Sequence, residues 1–217
     1  VSQYDAFALD YAAHAASSPY NVDYERPLML AQLGDVSRKA VLDAGCASGE
    51  LTAALLERGA QVTALDGSGE LLRIVRERFD ERVVTVQADL DDGLAAFADA
   101  SLDAIVSSLT IHYVRDLHQL FAEFRRVLKA EGELLFSTHH PANTALMVDD
   151  YFATKYVTDC WKIQGRQVNV QFYHRSMQSL IDPLLQNGFQ IVRILEPPCA
   201  LQPGRPWFLI IKARINF

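Results

Sequence analysis

The stretch VLDAGCASGE, Val41–Glu50, decides how this chain is read. An apolar run that begins at Ala40 ends on Asp43 and Ala44, and the backbone then turns through Gly45 and Gly49. A dinucleotide-binding turn carries G-x-G-x-x-G, whose second glycine lets a pyrophosphate approach the backbone. Here the three positions hold Gly45, Ala47 and Glu50. A carboxylate at the start of the following helix repels a diphosphate, and no G-K-[ST] is present to make a P-loop. The turn is expected to hold a ligand that presents no phosphate.

Outward from this turn the rhythm is strand, helix, strand. ELTAALLERG reads as a helix ended by Gly59 and QVTALD as the next strand. A helix capped by Ser68 then places Leu71, Leu72, Val75 and Phe79 on its core side. RVVTVQ, LDAIVSS and ELLFST read as three more buried strands, and Leu117, Leu120, Phe121, Phe124 and Leu128 share one face of the helix between the last two. Runs apolar on both faces, alternating with amphipathic helices, predict a parallel sheet covered on both sides. The end of the chain breaks that pattern. FQIVRIL and PWFLIIKAR are separated only by EPPCALQPGR, too short and too proline-rich for a parallel crossover, so the last strand is expected to be antiparallel. The fold class is therefore α/β, a Rossmann-like three-layer sandwich whose seven-stranded, mostly parallel sheet ends on an antiparallel strand. Upstream, Asp5 to Ser17 reads as an alanine-rich helix interrupted by Pro19 and Asn21, and a second helix runs from near Pro27 to Gly34.

Ligands of such sheets sit beyond the carboxyl ends of the strands. Asp66 closes the second strand, where a carboxylate can accept from both hydroxyls of a ribose, and a strand-end carboxylate at a crevice mouth is expected to support no core. Asp89 closes the third, where it can accept an adenine amino group. A nucleoside without phosphate and with cationic character fits this array.

At this point the sequence resembles a known family. VLDAGCASGELTAALLERGAQVTALDGSGELL is similar to the glycine-rich region and second strand of class I S-adenosylmethionine-dependent methyltransferases of the small-molecule type. VQADLDD resembles their adenine-contacting segment, LDAIVSSLTIHYVRD their fourth strand with the turn beyond it, and FRRVLKAEGELLFSTHHP their fifth helix–strand unit. The resemblance is strong over about residues 37 to 141. It implies S-adenosylmethionine as cofactor, with the backbone of Gly45, Cys46 and Ala47 at the methionyl moiety and Asp66 at the ribose. Leu71 would pack the adenine, the Asp89 carboxylate and Leu90 backbone would meet its edge, and Ser107 and Leu109 would sit near the sulfonium. Gly67 beside Asp66, and Tyr11 and Tyr20 from N-terminal helices that close over the cofactor in proteins resembling this one, complete the candidate contacts; the same aromatic stripe reads equally as plain core. Ala47 departs from the glycine that many members carry. The expected division of the single domain, 1–217, is a helical lid at 1–36, a cofactor-binding core at 37–141, an insertion of short strands and loop at 142–172, and a helix with a strand pair at 173–217.

The formal net charge of −7 over 217 residues argues against nucleic acid or an anionic membrane as partner. Cys46, Cys160 and Cys199 are too few and too scattered for a disulfide framework or a zinc site, so no metal is expected and a reducing cytoplasm is. No basic segment followed by an apolar one opens the chain, and its start at Val1 leads us to expect a few native residues before it. Oligomeric state is left open. His112, His139 and His140, beyond the fourth and fifth strands, have the ordinary pKa for a general base, and a histidine satisfied by backbone is an equal alternative for each. With Tyr113, and with Tyr151, Phe152 and Trp161 as walls, they predict a small neutral or cationic, aromatic-sized acceptor. Two other readings compete with methyl transfer: a non-catalytic S-adenosylmethionine sensor or partner subunit, and a nicotinamide oxidoreductase.

Overall fold

The computed structural model describes residues 2–201 and 203–216; Val1, Gln202 and Phe217, the outermost residues of the expected lid and strand pair among them, lie outside the described residues. In chain order the elements are α1 (Ala8–Ser17), α2 (Arg26–Gln32), β1 (Ala40–Ala44), α3 (Glu50–Glu57), β2 (Gln61–Asp66), α4 (Gly69–Phe79), β3 (Val83–Gln87) and β4 (Leu102–Ser107). They continue with α5 (Leu117–Val127), β5 (Leu128–His139), the short α6 (Pro141–Thr144), β6 (Lys155–Ile163), β7 (Arg166–His174), α7 (Met177–Gln186), β8 (Phe189–Leu195) and β9 (Phe208–Ile215). Seven strands form one sheet in the order β3-β2-β1-β4-β5-β9-β8, and β9 runs antiparallel to both neighbours. The short proline-rich connection before β9 leaves no other direction open to it.

Strand alternation assigns each side chain to a layer. Leu42, Ile105 and Phe136 face α5 and α7, where they pack with Phe121, Phe124 and Leu184. Val41, Val106 and Leu135 face the other way, onto Met29 of α2 and Leu51 and Leu55 of α3. Helix starts follow their polar caps: Ser68 Oγ accepts from the Leu71 N–H, Asp116 from those of His118 and Gln119, and Ser176 from that of Ser179. Chain order reverses across β1, which sends its continuation to β2 on one side and meets β4 on the other. The crevice of the fold opens there, beyond the carboxyl ends of these strands.

Two regions differ from the sequence expectation. Pro19 does not open a loop: with φ −56° and ψ −31° it leads into a π-helical turn at Tyr20–Glu25 that runs directly into α2. The insertion is more regular than short strands and loop. β6 and β7 are nine residues each and pair antiparallel in a sheet of their own. They turn through Gln164 and Gly165 at φ 47° and 81°, the left-handed pair that matches hairpin twist. Among the described residues no helix is long and apolar enough to cross a membrane.

Phe121 is fully buried at the centre of the larger layer, whereas Val84 on the edge strand β3 is 63% exposed. Phe121→Ala is expected to lower stability by about 3–5 kcal/mol, and Val84→Ala by less than about 1 kcal/mol. Urea unfolding of both variants measures the contrast, and similar losses would contradict this placement of the core.

Candidate active site

The turns after β1, β2 and β4 make the floor of a cleft of about 550 Å³. Asp66 joins the first two: its Oδ2 accepts from the Ala47 N–H at 2.9 Å and its Oδ1 from the Ser68 N–H at 2.8 Å. Ala47 is held at φ +49°, a left-handed conformation that disfavours a side chain. Gly45, at φ +81°, meets the third turn so closely that a Cβ there would lie 2.2–2.6 Å from Thr110. The Thr110 hydroxyl reaches the Ser108 carbonyl at 2.9 Å and that of Gly45 at 3.3 Å. Cleft and turns are thus one connected piece of backbone.

The third turn holds Leu109 at φ +49°. Its N–H donates to Ser137 Oγ, and the Ser137 and Ser108 hydroxyls both donate to Glu25 Oε1. Glu25 comes from the π-helical turn far back in the sequence and is 2% exposed. Burial pushes its carboxyl above the usual range, against the lowering effect of the two serines. Asp43 lies close by, with Oδ2 accepting from Thr52 Oγ1 at 2.6 Å and Oδ1 buried with no partner among the described residues. Its pKa is raised to about 7, chiefly by burial and further by Asp66 and Glu25. Asp66 is raised as well, again through burial. Among the described residues none of these three carboxylates has a Lys or Arg within ion-pairing distance.

A second space of about 290 Å³ lies next to the cleft, and Tyr11, Leu109 and Tyr113 line both. Aromatic rings enclose it. His112 and His139 stack with centroids 4.1 Å apart and planes within 14°. Trp207 stacks on Tyr20 and Phe172 meets the edge of His139. Trp161 and Asp159 from β6 complete the wall, with Trp161 Nε1 donating to Asp159 Oδ2 at 2.9 Å. Burial lowers both imidazoles, His139 to about 4 and His112 well below its ordinary value.

Several expected site residues reach the cleft: Gly45, Ala47, Asp66, Gly67, Leu71 and Asp89, with Leu90, Leu109 and Tyr11. Others do not. Cys46 points into the layer beneath α4 beside Leu72, Val75 and Phe79, and its N–H is taken by the Leu65 carbonyl. The Ser107 hydroxyl donates to the Ala44 carbonyl and ties β4 to β1; residue 108, one position on, has the parity that faces the cleft. Tyr20 lines the second space only. His140 leaves β5 on the side opposite His139, where Nδ1 accepts from the Ala142 N–H and Nε2 pairs with Glu196 at 2.6 Å. Of the expected acceptor walls, Trp161 is in place, but Phe152 is 77% exposed and the Tyr151 hydroxyl accepts from the Met177 N–H instead. Glu50 is drawn to Arg78 at 2.5 Å, outside the cleft, so its charge is spent there and not on a ligand. Asp66 supports two backbone groups, contrary to the expectation of an idle strand end. Glu25 and Thr110 were missed: one is distant in sequence and the other is an unmarked turn residue.

Residues 42–136 match the family described as methyltransferase domain. An uncharacterised protein of Haemophilus influenzae is 28% identical over 247 residues, which covers 99% of this chain and 97% of that one. The malonyl-[acyl-carrier protein] O-methyltransferase of a Methylovorus species is 40% identical over 128 residues, 54% of this chain and 42% of the enzyme. The chain spans between 21% and 55% of the length of the named enzymes it matches. The crystal structure of an S-adenosylmethionine-dependent methyltransferase from Mesorhizobium loti superposes with a TM-score of 0.72 at 25% identity, covering 92% of this chain and 99% of that one. Sheet order, crevice and matched segment agree: residues 42–136 carry a methyltransferase domain, and the fold is similar to that of class I S-adenosylmethionine-dependent methyltransferases.

Proposed function

We propose that this enzyme moves the methyl group of S-adenosylmethionine to a small-molecule acceptor, with the cofactor in the larger cleft and the acceptor in the aromatic chamber beside it. One observation carries the reading: Asp43, Asp66 and Glu25 are buried around the same turns, and among the described residues none has a Lys or Arg within ion-pairing distance and Asp43 Oδ1 has no partner. Uncompensated carboxylates favour a ligand with positive charge and disfavour one with phosphates. The argument against a dinucleotide therefore rests on these three groups and not on Glu50.

When bound, the cofactor supplies an electrophilic methyl on a sulfonium. The chain's own residues bind and aim it. Asp66 keeps lone pairs for the ribose hydroxyls after accepting its two backbone N–H groups. Leu71 packs the adenine, Gly67 lies beside the ribose, and Asp89 with the Leu90 backbone meets the adenine edge. The backbone at Gly45 and Ala47 receives the methionyl part. Leu109, shared by both spaces, lies where the methyl crosses, and Tyr11 closes that passage. In this division, residues 37–141 carry the cofactor, 142–172 wall the acceptor, and 173–217 complete the sheet and the chamber. Residues 1–36 act as lid, tied down where the Asp5 carboxylate meets the Ser68 hydroxyl and Tyr4 meets Tyr113. Rate enhancement comes mainly from holding nucleophile and methyl in line in a dry site. The neutral, weakly basic imidazoles of His112 and His139 orient the acceptor. His140, paired elsewhere, has no part in the site. The Methylovorus relative named above is an O-methyltransferase of malonyl-[acyl-carrier protein], which supports methyl transfer without naming the acceptor of this chain.

S-adenosylhomocysteine is expected to bind and NAD not, as titration calorimetry would record; tighter binding of NAD would overturn the cofactor assignment.

Asp66→Ala should weaken S-adenosylhomocysteine by about 30- to 150-fold, the loss of roughly 2–3 kcal/mol in hydrogen bonds to buried hydroxyls. Because two turn N–H groups also lose their acceptor, the ligand-free variant should be about 1–3 kcal/mol less stable. Unchanged affinity in a folded variant would mean the ribose lies elsewhere.

Asp43 gives the ligand-free protein a pH dependence of known sign. Its folded pKa of about 7 is above the ordinary 3.8, so the folded state binds the extra proton. The stabilisation is full below the lower value and is lost as pH rises through the upper one. Asp43→Asn removes this titration, so the stability of the variant minus that of the parent should grow between pH 4 and pH 8. Thermal unfolding across that range tests it, and parallel curves would refute it.

A further inference from the structure

Among the described residues, one carboxylate and one ammonium line the second chamber, Asp159 and Lys162, and β6 presents them on opposite faces. Side chains alternate along a strand. Val157, Asp159, Trp161 and Ile163 share the inward face, where Val157 and Ile163 are buried, while Thr158, Cys160 and Lys162 stand exposed on the other. Asp159 is half-buried, so part of it remains open to a guest. Its carboxylate is fixed in place: Oδ1 accepts from the Cys160 N–H at 2.8 Å and Oδ2 from Trp161 Nε1 at 2.9 Å. A carboxylate offers about four acceptor sites, so each oxygen keeps one for a ligand. We propose that the methyl acceptor is an amine that enters as its cation, with Asp159 accepting its N–H and aromatic faces around it. This deepens the proposed division into cofactor cleft and acceptor chamber and rests on it.

The rest of the lining supplies no rival charge on the inward side. Burial lowers His14, His112 and His139 from the ordinary imidazole value, so all three are neutral at pH 7.5. Ser18, Asn21, Asn143 and Thr144 are uncharged and serve a cation or a neutral guest alike. The rings do discriminate, because a π face attracts a cation and offers an anion nothing. Phe172, Phe208 and Trp161 lie around His139 with centroids 4.7, 6.2 and 6.4 Å away, and Tyr20 and Trp207 form a second stack. The charge of Asp159 is felt at His139 and at the Tyr113 hydroxyl, raising both, and Tyr113 stands on the wall shared with the cofactor cleft. The amine is thus held towards the side where the methyl crosses. A second cation is tolerated there because the cofactor's net charge answers only one of the three carboxylates around it, Asp43, Asp66 and Glu25. Transfer to nitrogen requires the free amine, so an N–H bond of the ammonium breaks and its proton passes to the Asp159 carboxylate. The nitrogen lone pair then forms the N–CH3 bond while the electron pair of the breaking S–CH3 bond stays on sulfur. Asp159 returns its proton to solvent.

The chain's two tryptophans, Trp161 and Trp207, both line this chamber, and the Trp161 indole is bonded to Asp159 itself. Their indole N–H resonances therefore report its occupancy. The protein is saturated with S-adenosylhomocysteine and titrated with 2-phenylethylamine, 2-phenylethanol and 3-phenylpropanoate, which share a phenylethyl frame and are cation, neutral and anion at neutral pH. The amine should shift both indole signals and bind at least about 10-fold tighter than either of the others, the worth of one charge-assisted hydrogen bond. Asp159→Asn removes the charge at nearly constant size, and should weaken the amine by about 10-fold while leaving the alcohol nearly unchanged. Equal or tighter binding of the alcohol or the acid to the parent protein overturns the proposal, as does an amine that moves neither indole signal; neither comparison needs a variant. Undiminished amine binding by a folded Asp159→Asn protein overturns it too. Failure of S-adenosylhomocysteine itself to bind, read by calorimetry on the same samples, would instead refute the cofactor cleft.

Discussion

The cleft depends on the two backbone N–H groups that Asp66 accepts. Without that carboxylate the turn after β1 has nothing to hold Ala47 in a left-handed conformation, and the turn after β2 loses its link to the first. Thr110 wedges the third turn against Gly45, and Ser137 holds Leu109 in its own unfavourable conformation. Three turns from separate strands are thereby joined into one surface. Each strained residue is stabilised by a side chain from another element, as expected where local strain persists in a folded protein.

The same groups leave an electrostatic deficit. Burial raises Asp43, Asp66 and Glu25 together, and the only opposing charge acting on them among the described residues, Arg26 on Glu25, does not overcome it. Ionising them in the ligand-free protein is costly, so on the proposed reading the binding of a cationic ligand is linked to their loss of protons. Arg78, the nearest arginine to the glycine-rich turn, is engaged by Glu50 and by the Ser48 carbonyl, so it cannot supply the missing charge.

Much of this was legible in the sequence. Apolar runs such as AVLDA and LDAIVSS have one structural solution when amphipathic helices alternate with them, and the prolines between β8 and β9 fixed the last strand's direction. What could not be read was side-chain parity at strand ends and contact between distant segments. His139 and His140, or Ser107 and Ser108, differ by one position and face opposite sides, and the sequence marks neither as the inward one. Cys46 belongs to the right turn but its side chain faces the layer under α4. Glu25 reaches Ser108 and Ser137 across 83 and 112 positions, and no local pattern announces such a meeting. The π-helical turn that carries it was hidden by Pro19, which reads as a breaker yet fits a helix start.

The β6–β7 hairpin makes its ladder within itself and shares no strand pairing with the main sheet. It nevertheless gives Asp159, Trp161, Lys162 and Phe172 to the chamber. The clamps that shape the cleft, at Asp66, Thr110 and Ser137, all come from the main sheet and its turns. Tyr156 and Tyr173 of the same hairpin line the larger cleft, so the two spaces share this element even though none of the clamps lies on it. On the proposed division of the site, substitutions at Asp159, Trp161, Lys162 and Phe172 would reshape the acceptor chamber while the backbone clamps of the cleft stay in place.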